Sequence, residues 1–142
     1  MRAAVVITTY NRPDALAAVL EGYLVQGDRD FDLVVADDGS TADTQRVVES
    51  FRPRAPMPVL HVWQEDCGFR AAAARNRAMA ATAAEYVIFT DGDCVPSRGF
   101  VAAHKRLAQR GRFLAGNRIL LSEAFTRRML AERMPIHEWG AL

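Results

Sequence analysis

Short, uniformly apolar runs alternate with amphipathic stretches along this chain, and several runs end in a polar turn. That alternation marks successive βα units, which fold into a parallel sheet with helices on its faces. In the first run, residues 3–8, Val5, Val6 and Ile7 are too uniformly apolar for a strand wetted on one side. Residues 31–36 repeat the pattern and end at Asp37-Asp38-Gly39-Ser40. Pro53, Pro56 and Pro58 break the chain before a third predicted strand at 59–63. The most strand-like run, 86–90, ends at Asp91-Gly92-Asp93-Cys94.

The intervening segments read as helices. Asn11 is expected to cap the first, with Pro13 in its first turn and Asp14 near its positive end. Leu16, Val19, Leu20, Tyr23 and Leu24 then recur at helical spacing. Ser40 and Asp43 resemble a capping box for a helix running to about Phe51. Residues 70–83 are rich in alanine and carry high helix propensity. Further helices are expected at about 99–109 and 123–133, with a short strand at 113–115. The class is therefore α/β, with right-handed crossovers on a mostly parallel open sheet. Such sheets bind ligands in the crevice beyond the carboxyl ends of their strands. Thr8-Thr9-Tyr10, Asp37-Asp38 and Asp91-Gly92-Asp93 each come directly after a predicted strand, so they are expected to converge on one rim.

Composition narrows the partners. The 142 residues are half apolar and a quarter charged, and the net charge of +1 argues against a nucleic-acid-binding surface. Arginines thicken locally at Arg70, Arg75 and Arg77, and again at Arg127, Arg128 and Arg133; solvated helix faces and anion contacts both account for them. No apolar run approaches the ~20 residues needed to span a bilayer, so no integral membrane segment is expected. The first apolar run is too short for a signal peptide, which makes a cytoplasmic location, at most peripheral to the inner membrane, the default. Cys67 and Cys94 lack partners at zinc-ligand spacing and read as free thiols. His61, His104 and His137 are scattered and read as packing or surface residues.

The chemistry concentrates at Asp91 and Asp93. In an extended segment, side chains two apart project to the same side, and Gly92 lets a ligand approach closely. Two such carboxylates make a hard-oxygen site for Mg²⁺ or Mn²⁺, an ion that takes its remaining ligands from water and substrate phosphates. A diphosphate is the implied ligand. The spacing alone is weak, since Asp28/Asp30 and Asp30/Asp32 share it before a strand, where a polar turn explains them. Asp37 and Asp38 suit hydrogen bonding to a base or ribose, and equally suit a turn. Tyr10 is placed to stack on a base or to be half-buried, and Arg70 lies at a helix start, where free amides also favour phosphate.

Four motifs in order, Ile7-Thr8-Thr9-Tyr10-Asn11-Arg12-Pro13, Asp37-Asp38-Gly39-Ser40, Gly68 to Ala74-Arg75-Asn76, and Asp91-Gly92-Asp93, resemble family 2 glycosyltransferases of the GT-A fold. The likeness extends to Trp63-Gln64-Glu65-Asp66 before Gly68-Phe69-Arg70, and to Gly116-Asn117-Arg118. It implies a three-layer αβα sandwich and an inverting sugar transfer from a nucleotide-diphosphate donor, of UDP type, to an acceptor hydroxyl. The setting it implies is cell-surface polysaccharide or lipopolysaccharide synthesis, on a saccharide or lipid acceptor. By that likeness Thr8, Tyr10, Arg12, Asp37, Asp38, Arg70, Arg75, Asn76 and Asp91 bind the nucleotide-sugar. Asp91 and Asp93 hold Mn²⁺ or Mg²⁺, Asp93 directly. The gap between Gly68 and Arg75 is longer than the commonest family spacing, which bears on Arg70, Arg75 and Asn76.

An inverting transfer needs a carboxylate that deprotonates the acceptor. Glu123, Glu132 and Glu138 read as helix-surface residues, so the general base is expected beyond residue 142. The ending Glu138-Trp139-Gly140-Ala141-Leu142 has no terminating signal and would leave Trp139 poorly covered. The expectation is one domain over 1–142, truncated at its C-terminus, with the donor half nearly complete. A non-catalytic nucleotide-sugar-binding domain is the alternative. A nucleotidyltransferase would open with a glycine-rich phosphate loop, which Thr9-Tyr10-Asn11-Arg12 is not. A phosphoacceptor signalling domain needs an acidic pair after strand one and a lysine after strand five, yet Lys105, the only lysine, falls in a predicted helix.

Overall fold

The structure, a computed structural model, describes residues 1–139. Four strands, β1 (Ala3–Thr9), β2 (Phe31–Asp37), β3 (Val59–Trp63) and β4 (Tyr86–Asp91), form one parallel sheet in the order β3-β2-β1-β4. The chain steps outward from β1 to β3, then returns across the sheet to place β4 on the other side of β1. Helices α1 (Pro13–Leu24), α2 (Ala42–Phe51) and α3 (Ala71–Ala80) lie in the connections between strands, and α4 (Phe100–Leu107) and α5 (Glu123–Glu132) come after β4.

The two sheet faces bury different side chains. Val5, Ile7, Leu33 and Val35 pack against Leu16, Val19, Leu20 and Tyr23 of α1, Val48 and Phe51 of α2, and Val101 of α4. Val6, Val34 and Ala36, which alternate with them, pack against Ala74 and Ala78 of α3. Three layers result, as the sequence predicts, and β1 and β2 are apolar throughout because both of their faces are covered. The α3 face is built from alanines, which let the helix lie close to the sheet. On the other side Gly22 does the same for α1: a Cβ there would meet Pro96 Cδ at 2.7 Å, so α1 seats the loop after β4.

Several local expectations are corrected. Arg12, not Asn11, occupies the cap position of α1, with no side-chain bond; Asn11 has φ 45° and its Oδ1 accepts from Thr41 N (2.9 Å). Thr41 caps α2 without a side-chain bond, because Ser40 Oγ is engaged by Asn11 N at 2.9 Å. α3 stops at Ala80, where Thr82 Oγ1 turns to Asp32 (3.1 Å) and accepts from Ala84 N. Asp32 lies inside β2, with its carboxylate on Arg2, while Asp28 and Asp30 hold Lys105 of α4. Residues 113–115 form no strand: Phe113 is 90% exposed, and Gly111 at φ 75° turns the chain just before it.

Ser122 caps α5 through Phe125 N, and Met129 is that helix's buried residue, on the α1 side of the molecule. Trp139 is half-exposed with its ring centroid 5.7 Å from that of Phe125, and the expectation for residues 140–142 lies outside the described residues. No helix among the described residues is long and apolar enough to cross a membrane.

Candidate nucleotide-diphosphate site

Strand register assembles the rim. Thr9 pairs with Asp37 across β1 and β2, and Thr8 pairs with Asp91 across β1 and β4. One further backbone bond extends each step: Asp38 N to Thr9 O (3.1 Å), Gln64 N to Asp37 O (3.1 Å) and Gly92 N to Thr8 O (2.8 Å). The reversal of strand order falls between β1 and β4, where a crevice opens in sheets of this kind.

At that reversal Arg75, on α3, reaches across the sheet end. Its Nε donates to Thr8 Oγ1 (2.8 Å) and its Nη2 to Asp91 Oδ1 (3.0 Å). Thr8, Arg75 and Asp91 are thus one hydrogen-bonded group. The chain turns directly after Asp91, with Cys94 N bonded to Asp91 O at 3.1 Å, so Asp91 and Asp93 converge by a turn and not by an extended segment. Ligand atoms of Asp91, Asp93 and Cys94 all lie within 4.8 Å of one another. Burial, then Asp93 and Asp91, push the Cys94 thiol up, with Arg118 acting the other way. The hard-oxygen donors of the group are the two carboxylates. That donor set suits a hard divalent cation whose other ligands are water and phosphate oxygens. Asp93 is exposed, and among the described residues it has no basic partner.

The other half of the rim is more enclosed. Asp37 is fully buried, with Oδ1 accepting from Ser40 N (2.8 Å) and Oδ2 beside His61 Nε2 (2.8 Å). Burial alone would raise its pKa; the bonds from His61 and Ser40 outweigh it and hold the carboxyl below the usual range. Asp38 is also buried, bonded to Gln64 Nε2 (2.7 Å) and Arg70 N (2.8 Å). Each carboxylate oxygen thus has one protein partner, and these bonds fix the loops that follow β2 and β3. Tyr10 is 48% exposed and donates to Asp66 Oδ2 at 2.9 Å, a bond that raises its pKa. Gly39 stands at φ 99°, where an added Cβ would lie 2.5 Å from Asp66 Cα, so the β2–α2 and β3–α3 loops touch there.

Two expected residues stand apart. Arg12 turns away from the rim, bonding Asp14 (3.2 Å) in a hollow of about 460 Å³ that α5 also lines. Asn76 is exposed on α3, and Arg70 places its guanidinium on Glu65 O (3.0 Å) at the rim's outer edge. His61, Gln64, Asp66 and Arg118 join the site; the sequence reading took His61 for a packing or surface residue and quoted the other three only within motifs, without a role. Only the register of β3 against β2 brings His61 within reach of Asp37. A larger groove, about 800 Å³, lies between α1, α2 and the C-terminal segment, away from this chemistry.

The model of the family described as "Glycosyl transferase family 2" matches residues 4–141. This chain belongs to glycosyl transferase family 2. It is 43% identical over 91 residues to the validoxylamine A glucosyltransferase of Streptomyces hygroscopicus subsp. limoneus, covering 62% of this chain and 19% of that protein. To the chondroitin synthase of Escherichia coli it is 32% identical over 105 residues, covering 73% of this chain and 15% of that one. The chain thus spans about a fifth or less of these curated relatives. Among solved structures, the mannosyltransferase PcManGT from Pyrobaculum calidifontis, in complex with GDP-Man and Mn²⁺, superposes with a TM-score of 0.68 at 30% identity, over 77% of this chain and 33% of that one. S. aureus TarS 1-349 gives 0.63 at 26%, over 75% and 32%. The glycosyltransferase α/β sheet of the family is the fold of this chain, and the rival nucleotidyltransferase and phosphoacceptor readings fall away. Lys105, which the last of these would have needed at the site, is bound to Asp28 and Asp30 at the opposite end of the sheet.

Proposed function

We propose that this chain is the donor-binding part of an inverting glycosyltransferase, moving a sugar from a nucleoside diphosphate to a saccharide or lipid hydroxyl. The observation that carries the reading is the pairing of Thr8 with Asp91 at the strand-order reversal, with Arg75 bonded to both. It gathers two carboxylates and a guanidinium where a diphosphate and a divalent cation can meet. The Mn²⁺ and GDP-Man bound by the similar Pyrobaculum enzyme support the same assignment.

In this reading Asp93 is the direct ligand of Mn²⁺ or Mg²⁺, and Asp91 lies between that ion and the ribose. When bound there, the ion would supply positive charge to offset that of the departing diphosphate. Thr8 fixes one edge of the Arg75 guanidinium, so that its remaining donors point into the crevice. Tyr10 offers an exposed ring for the base. Asp37 and Asp38 act indirectly, by holding the loops that carry Tyr10 and Arg70. We take the donor to be UDP-type, with GDP the competing choice. After Asp93, Glu123 and Glu132 are exposed and ion-paired with Arg127 and Arg128 on α5, so we assign acceptor deprotonation to a carboxylate outside them. A donor-binding module without transfer activity is the second reading.

Thermal denaturation with UDP, GDP and their sugars, with and without Mn²⁺, tests the proposal. A ligand that binds the folded state raises the melting temperature with its concentration over Kd. We expect stabilisation that requires both nucleotide and Mn²⁺, and its loss in Asp93→Ala. Metal-dependent stabilisation that survives in Asp93→Ala contradicts the assignment. Sugar transfer by the chain itself separates the enzyme from the binding module.

A further inference from the structure

The donor-site reading leaves one arginine unassigned. Arg118 lies in the stretch between α4 and α5 that forms neither helix nor strand past residue 107, yet its Nη1 stands 3.9 Å from Asp91 Oδ2. Arg75 holds the other oxygen, Oδ1, at 3.0 Å. Asp91 is therefore bracketed by two guanidinium groups, one on each oxygen, whereas its neighbour Asp93 is exposed and carries none among the described residues.

The two contacts differ in kind. Arg75 is tied to Thr8 as well as Asp91 and is fixed by hydrogen bonds. The Arg118 contact is beyond hydrogen-bond distance, and its side chain is 65% exposed. An exposed ion pair of this sort contributes little stability, so the guanidinium leaves Asp91 at small cost. The backbone beneath it belongs to no ladder, and its amide is satisfied locally, Arg118 N donating to Asn117 Oδ1 at 2.8 Å, so the segment can follow the side chain.

Charge decides where it goes. Two carboxylates and two guanidinium groups balance in the donor-free site. A divalent cation at Asp91 and Asp93 makes the cluster doubly positive, and an incoming diphosphate restores neutrality. The planar guanidinium matches phosphate oxygens in a two-pronged contact. We propose that Arg118 is a second diphosphate-binding arginine, parked on Asp91 until the cation and the donor arrive together. Resting on the donor-site assignment, this adds a residue to it and makes cation and diphosphate binding mutually dependent: Arg118 would leave Asp91 when a cation occupies the carboxylates and would pair with the diphosphate instead.

Calorimetric titration of wild-type protein, Arg118→Ala and Arg118→Lys tests this with three probes: Mn²⁺ alone, the nucleoside diphosphate with Mn²⁺, and the matching nucleoside. The expected result for Arg118→Ala is a loss of roughly tenfold or more in Mn²⁺-dependent diphosphate affinity. Nucleoside binding should stay unchanged, and Mn²⁺ alone should bind at least as tightly as to wild type. Arg118→Lys should recover part of the loss. Wild-type diphosphate affinity in Arg118→Ala overturns the inference alone, as does an equal loss for diphosphate and nucleoside, which marks a structural role. Wild-type protein without Mn²⁺-dependent diphosphate binding removes the donor-site reading, and this inference with it.

Discussion

At the scale of single residues, the rim combines side chains that are saturated with ones that are left open. Asp37 is the clearest saturated case, buried with Ser40 N and His61 on its two oxygens. Asp37→Ala strands these donors and is expected to cost about 1–3 kcal/mol in urea denaturation. Its depressed pKa gives a signed pH effect. A carboxyl whose folded pKa lies below its unfolded value contributes stability above about pH 4, and that contribution fades as pH falls through the folded pKa. Asp37→Asn should therefore show a shallower loss of stability than wild type in acid, measured by denaturation at a series of pH values. An unchanged acid limb would mean that other carboxylates carry the effect. Which aspartates would be saturated was not legible in the sequence: Asp37, Asp38, Asp91 and Asp93 all sit at strand ends, and only strand register supplies their neighbours. His61, one strand away, becomes visible by the same route.

At the scale of elements, the strands were legible almost to their ends, because buried parallel strands leave uniform apolar runs that little else produces. Caps and short helix ends were not. Asn11 and Ser40 have the chemistry of caps, yet each spends its side chain on the other's loop, tying the β1–α1 and β2–α2 connections together. The stretch at 113–115 has strand composition, but composition does not supply a neighbour to pair with. Loop-to-loop contact also sets the third prediction. Gly39 combines a left-handed φ with a 2.5 Å approach to Asp66, so Gly39→Ala meets both strain and a backbone clash. It should lose about 1–3 kcal/mol or more by calorimetry, and weaken nucleotide binding through displaced Asp66 and Tyr10. Unaltered stability would show that the two loops separate freely.

At the scale of the molecule, order is concentrated around β1 and β2, which have neighbours on both edges and helices on both faces. Residues 108–122 have no ladder and few backbone bonds, and Phe113, Ile119 and Leu120 are highly exposed. Native-state hydrogen exchange should accordingly be slowest in β1 and β2 and fastest across 108–122. Comparable protection in both would indicate that this stretch is covered in solution, for instance by self-association. The return of the chain to β4 carries one more consequence. Threonine, arginine and aspartate at the reversal come from three distant stretches, so no excised peptide can reproduce them, and partial unfolding of any layer dismantles the whole pocket. Nucleotide affinity should rise and vanish with global cooperativity, making the ligand a gauge of native topology and not of local order.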